Sequence, residues 1–315
     1  MRAIAIEEFG GPEKLRQMSF ARPRPAKGEI LVRVVSAGVS PLDCGIRAGE
    51  LRDRLDCRLP LIPGWDVAGA VEDFGEGARR FRKGDRVWAF AGKPQVQWGC
   101  YAEYVCVPES AVAAMPAKLL FEEAAAVPLA ALAAQQALFG KPGVGAGSVV
   151  LVHGAGGGVG HFALQLARHA GARVVGTGSG AKQPFILGLG AELGIDYAKE
   201  DFVVALRRHF PDGVDLVLDA VGGQTLARSY ELLKPGGRLV SLVETPDARL
   251  AAERGTRAEQ LLVEPDGEQL AAIGALFDRK VLKVHVQKIY PLARAAEAHR
   301  ALEDGHVQGK LVLNL

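Results

Sequence analysis

Apolar and polar residues alternate in short runs through the first third of the chain: residues 2–6 (RAIAI), 29–36 (EILVRVVS), 67–73 (VAGAVED), 85–90 (DRVWAF) and 101–107 (YAEYVCV). A period of two turns one side of each run inward and the other outward, which is the signature of strands. Turn-forming groups separate the runs: Pro23-Arg24-Pro25, Gly75-Glu76-Gly77 and Lys83-Gly84-Asp85. Many short strands at this spacing predict a barrel-like or partly open β-domain.

From about residue 119 to 280 the pattern changes. Runs that are largely apolar, at 148–153, 172–177, 214–219 and 237–243, predict strands buried on both faces. Between them, 121–140, 158–170, 181–190, 200–209 and 223–233 read as helices. This alternation predicts a doubly wound parallel sheet. The tail, 281–315, returns to short β-like runs ending KLVLNL and is expected to pack on the first domain. The fold class is therefore α/β in two domains, 1–119 with 280–315 and 120–279.

Composition narrows the function. With 38 basic and 36 acidic residues the net charge is +2, which argues against nucleic acid as the main partner. The N-terminus lacks an apolar core of signal-peptide length, and the longest uncharged stretches, 124–140 and 142–167, carry Pro or many Gly. They read as buried core, so no membrane partner is expected. Cys44, Cys57, Cys100 and Cys106 form no CxxC pair and read as free thiols of a cytoplasmic protein.

The chemistry-bearing motif is GAGGGVG at 154–160, between an apolar strand-like run and an amphipathic helix. Bare backbone at a strand-to-helix turn lets N–H groups and a helix N-terminus meet a pyrophosphate. The strict GxGxxG spacing fails, because the sixth position is Val159 or His161; the working register is GxxGxxG on Gly154, Gly157 and Gly160. After the second strand comes TGSGAK at 177–182, with no carboxylate to grip ribose hydroxyls. Lys182 would attract a 2′-phosphate, which favours NADP(H); as a merely solvated lysine it would leave NAD(H) possible as well.

Together the motifs resemble the medium-chain dehydrogenase/reductase superfamily, and within it the zinc-independent quinone oxidoreductase branch. The resemblance runs in order through AGVSPLDCGIRAG (37–49), PGWDVAGAVEDFGEG (63–77), FRKGDRVWAF (81–90), YAEYV (101–105), FEEAAAVPLA (121–130), GAGGGVG, DAVGG (219–223), LLKPGGRLVS (232–241), VEPDG (263–267) and AHRALEDGHVQGKLVL (298–313). It implies a GroES-like β-domain and a Rossmann domain with the active site in a cleft between them. Zinc alcohol dehydrogenases of the superfamily have Cys and His where this chain has Ser40 and Trp65, and a hydroxyl and an indole do not replace a thiolate and an imidazole on zinc. Cys44 is out of register, and the four-cysteine structural-zinc run is missing. No zinc is expected.

The resemblance then implies NADPH-dependent hydride transfer to a small-molecule electrophile, a quinone or an α,β-unsaturated carbonyl. Ser40, Asp43, Trp65, Trp88 and Cys100 are its substrate-side candidates, and Gly45 stands where the family often has Tyr. Trp65 and Trp88 could equally be core, and Asp43 could simply cap a helix. On the cofactor side the resemblance assigns Gly158, Val159, Thr177, Ser179, Lys182 and Tyr197, with Val221, Gly222, Leu242 and Val243 near the nicotinamide; Ala133 replaces a common Thr. Arg47, Arg52, Arg54 and Arg58 could hold the phosphates of an acyl-CoA, or be a solvated face interleaved with Glu50, Asp53 and Asp56. An enoyl-thioester reductase and a non-catalytic NADPH-binding protein are the alternatives. By family analogy a homodimer is expected through the sheet edge near 259–264.

Overall fold

The computed structural model describes residues 1–141 and 143–315. The chain forms two compact units, Met1–Leu132 with Glu264–Leu315, and Ala133–Val263.

The first unit is built on a seven-stranded sheet. Its central strand, Glu29–Val39, pairs antiparallel with Asp66–Phe74, Tyr104–Pro108 and the C-terminal strand Lys310–Asn314. Ile30, Val32, Val67, Val71, Val87, Val105 and Leu311 are all buried in one core, as period-two burial requires. The tail thus returns to the first unit as expected, but it also carries a helix, Ala295–Glu303, that the reading of the tail did not contain. Its inward face is Ala295, Ala298 and His299, too small and polar to show as an apolar stripe.

The second unit is a six-stranded parallel sheet in the order Leu193–Asp196, Arg173–Gly178, Val149–Val152, Val214–Asp219, Leu233–Ser241, Arg257–Gln260. The middle strands are buried on both faces, which explains their largely apolar composition. The helix expected over 121–140 is two, Phe121–Ala125 and Pro128–Phe139. Pro128 lacks the N–H that would continue the first and suits the first turn of the second.

The units divide at 132/133 and 263/264, whereas the sequence pattern placed the divisions at 119/120 and 279/280. Packing explains the difference. The helix Gly267–Asp278 lies on the first unit, with Phe277 edge-on to Trp88 at 6.1 Å between ring centres. The Leu129 N–H, likewise, donates to Asp66 Oδ1 at 2.6 Å.

Candidate active site

In the second unit the candidate residues gather at the C-terminal ends of the parallel strands, where open α/β sheets bind ligands. Residues 154–160 link the strand Val149–Val152 to the helix Gly160–His169. Gly154 is left-handed at φ 69°, and its carbonyl accepts the Gly157 N–H at 2.9 Å. A Cβ on Gly160 would stand 2.3 Å from that same carbonyl oxygen, so only glycine fits. The loop is therefore bare backbone at a helix N-terminus, which suits a pyrophosphate.

Lys182 lies along this loop: a Cβ on Gly156 would come within 2.8 Å of Lys182 Cδ. Partial burial lowers its pKa. Ser179 is half-buried beside it, and Tyr197 is exposed. The stretch TGSGAK has no acid of its own, yet one stands next to it. Pairing in register with Gly178 brings Asp196 alongside, and a Cβ on Gly180 would lie 2.6 Å from Asp196 Oδ2. Only the pairing of a fifth strand, which the apolar runs did not reveal, could have exposed this neighbour.

Thr177 turns its side chain into the interior. Its hydroxyl is buried and shares a 3.0 Å hydrogen bond with His153 Nδ1, while His153 Nε2 meets Ser229 Oγ at 3.0 Å. Ser229 donates its own proton to the Thr225 carbonyl at 2.6 Å, so it accepts from Nε2 and Thr177 donates to Nδ1. Burial drives the pKa of His153 down to about 3, which keeps the imidazole neutral. Ala133 is likewise buried.

Val221 and Val243 project into solvent from the ends of the strands Val214–Asp219 and Leu233–Ser241. Val221 Cγ2 would touch a Gly154 Cβ at 3.5 Å, so this rim adjoins the glycine loop. Gly222 is buried and Leu242 half-buried behind it.

In the first unit Ser40 caps the helix Pro41–Ala48. The backbone N–H and Oγ of Ser40 both donate to Asp43 Oδ2, at 2.8 and 2.7 Å, and Asp43 N–H returns a 3.4 Å bond to Oγ. Asp43 is thus a helix cap, as one of its two readings held. It is also more than a cap: it is 1% exposed, and its Oδ1 has no partner. Burial, reinforced by the nearby Asp66, pushes its pKa up to about 6. Asp66 itself is held by Lys310 Nζ at 3.0 Å.

Trp65 is half-buried against Phe90, ring centres 5.6 Å apart. Trp88 and Cys100 are wholly buried, Trp88 against Phe277 as its core reading would have it. Cys44 turns away from Ser40 to His299, whose Nδ1 lies 3.4 Å from Sγ and whose Nε2 meets Tyr101 Oη at 3.1 Å. Gly45 does open space: with Pro41, Cys44, Glu50, Leu302 and Glu303 it lines a cavity of about 180 Å³. Arg47 is buried on Glu303 at 2.5 Å and Arg58 pairs with Asp56 at 3.1 Å. Arg47 is thereby withdrawn from an anionic handle, whereas Arg52, Arg54 and Arg58 are exposed, the last in a solvent-facing ion pair. Among the described residues no group of three or more His, Cys, Asp or Glu could hold a metal ion.

Comparison with known proteins agrees with this layout. Residues 26–117 match the alcohol dehydrogenase GroES-like domain family and 189–313 the zinc-binding dehydrogenase family. The chain is 33% identical to human quinone oxidoreductase over 100% of its own length and 98% of that protein's. It is 31% identical to the chloroplastic NADPH-dependent alkenal/one oxidoreductase of Arabidopsis thaliana, covering 99% of this chain and 79% of the relative. The crystal structure of Escherichia coli quinone oxidoreductase complexed with NADPH superposes with a TM-score of 0.90 at 30% identity over 100% of both chains. The chain belongs to the medium-chain dehydrogenase/reductase superfamily, in its quinone oxidoreductase-like branch.

Proposed function

We propose that the protein is an NADPH-dependent, zinc-independent reductase of conjugated acceptors, quinones or α,β-unsaturated carbonyls. The observation that carries this reading is the glycine cradle at 154–160 with Lys182 laid along it. A ligand with both a pyrophosphate and a 2′-phosphate fits that pair. NADP(H) is the preferred cofactor, and NAD(H) fits the cradle without using Lys182. When bound, the cofactor supplies a hydride to the β-carbon of the acceptor.

The chain's own residues do the rest. Gly154, Gly157, Gly158, Val159 and Gly160 face the phosphates, Ser179, Lys182 and Tyr197 the adenosine side, and Val221, Gly222, Leu242 and Val243 the nicotinamide side. Ser40 and Trp65 stand where zinc ligands would be required, which supports a metal-free route. Asp43 stays on the substrate side in this reading, as the family resemblance assigns it, with an Oδ1 that has no hydrogen-bond partner. Solvent or a side chain supplies the proton that completes reduction.

The acyl-CoA reading is disfavoured by the loss of Arg47 to Glu303. Steady-state oxidation of NADPH against 1,4-quinones, small enones and enoyl-CoAs tests all three substrates. Turnover with the first two supports the proposal; tight NADPH binding with no turnover of any electrophile would leave a binding protein.

A homodimer through the strand Arg257–Gln260 belongs to the same reading. That strand is one of the two edges of its sheet, and Leu262 beyond it is 75% exposed. Light scattering should give the mass of two chains. Four free cysteines suit a reducing compartment such as the cytoplasm, and among the described residues no helix is long and apolar enough to cross a membrane.

A further inference from the structure

Asp219 ends the strand Val214–Asp219 and is fully buried. Its Oδ1 accepts the N–H groups of Val221 and Gly222, each at 3.1 Å. Oδ2 accepts Gly222 N–H at 3.1 Å and the Ser241 hydroxyl at 3.1 Å, and the Asp219 carbonyl accepts Leu242 N–H at 2.9 Å. Ser241 ends the neighbouring strand, Leu233–Ser241, and its oxygen in turn accepts Val243 N–H at 3.2 Å and Glu244 N–H at 3.3 Å. Glu244 closes the ring by accepting Gly223 N–H at 2.6 Å.

Two loops that are separate in sequence are thus one hydrogen-bonded body, and a buried carboxylate is its hub. Every contact to Asp219 Oδ1 and Oδ2 comes from a donor. An asparagine would turn an NH₂ group against N–H or O–H donors and break at least one side of the hub. The large apolar side chains that this body presents to solvent are Val221 and Val243, and a Cβ on Gly222 would lie 3.7 Å from Val243 Cβ.

We propose that Asp219, acting through Ser241, is a positioning residue for hydride transfer. It fixes the Val221 and Val243 rim against which the nicotinamide is set, without touching cofactor or substrate. The inference rests on the proposed reductase function and its assignment of Val221 and Val243. The physical argument is that hydride transfer is steep in distance and angle, so a loop displaced by a fraction of an ångström slows the step while binding elsewhere survives.

The test uses the whole protein with Asp219→Asn, Ser241→Ala and Ser241→Thr. Amide hydrogen exchange without cofactor should accelerate at Val221, Gly222, Val243 and Glu244 in the first two variants and return toward native in the third. With NADPH and a quinone, kcat should fall by ~10-fold or more in Asp219→Asn. The primary deuterium isotope effect from deuterated NADPH should rise, and the NADPH dissociation constant should change by less than ~3-fold. Ser241→Ala should move the same way by less, and Ser241→Thr should recover most of the rate. If Asp219→Asn does not fold, the Ser241 pair decides. Faster exchange with unchanged kcat and isotope effect would overturn the inference, as would lost NADPH affinity at unchanged kcat. A wild-type protein that turns over no acceptor would instead overturn the reductase reading on which it rests.

Discussion

Lys182 lies across Gly156, its Cβ, Cγ and Cδ within 3.1, 3.4 and 2.8 Å of where a glycine Cβ would be. The side chain is therefore directed along the glycine loop by contact with it. Lys182→Ala should weaken NADPH binding by ~10-fold or more, the worth of a charge-assisted hydrogen bond, and NADH binding by much less. Titration of nucleotide fluorescence measures both; equal losses would remove Lys182 from 2′-phosphate recognition.

Asp196 works against that lysine. Its carboxylate sits beside Gly180 and is only partly offset by Lys199 at 3.7 Å, a residue whose side chain is 81% exposed. Asp196→Asn should tighten NADPH a few-fold at low salt, with NADH unchanged and the gain fading as salt screens it. A constant NADPH/NADH ratio across ionic strength would show that Asp196 does not face the phosphate.

Gly160 tolerates no side chain, because its Cβ would meet the Gly154 carbonyl at 2.3 Å and Ala155 Cα at 2.6 Å. Both obstacles are backbone. Gly160→Ala should cost about 1–3 kcal/mol of stability and most of the cofactor affinity, read by thermal unfolding with and without NADPH. Gly157→Ala, facing only the Gly154 oxygen at 3.2 Å, should be milder in stability.

Three buried groups set an acid response with opposing signs. His153 and His299 are each driven down to about 3 by burial, with Arg47 adding to the effect on His299. They are neutral when folded but protonated when unfolded below about 6.5, so each costs ~1.4 kcal/mol per pH unit on acidification. Asp43, pushed up to about 6 from 3.8, holds a proton when folded that the unfolded chain has released, so between pH 6 and 4 it offsets one histidine. Asp43→Asn should make the loss of stability between pH 6 and 4 steeper by ~1.4 kcal/mol per unit. Denaturant melts at several pH values check it, and an unchanged slope would mean that Asp43 does not titrate there.

The sequence was most legible where burial imposes period. All four of the largely apolar runs overlap strands of the parallel sheet, and the five alternating runs fall on or beside strands of the first unit. It was least legible where a side chain's fate depends on a partner far along the chain. Arg47 reads as a surface charge until Glu303, 256 residues away, comes to meet it. Thr177 reads as a cofactor contact until His153 takes its hydroxyl. Asp219 lies in the quoted DAVGG, but its role depends on Ser241 in the next strand, and no local spacing signals that partnership.

The four cysteines carry one more consequence. Cys44, Cys100 and Cys106 are buried and Cys57 is half-buried, and burial pushes every one of these thiols up, Cys106 to about 11. At neutral pH the chain therefore offers almost no thiolate, the form that quinones and enones alkylate. Under the proposed function, the thiols are thus poorly placed to be alkylated by the acceptors: intact-mass spectra after exposure to excess quinone should show little cysteine modification.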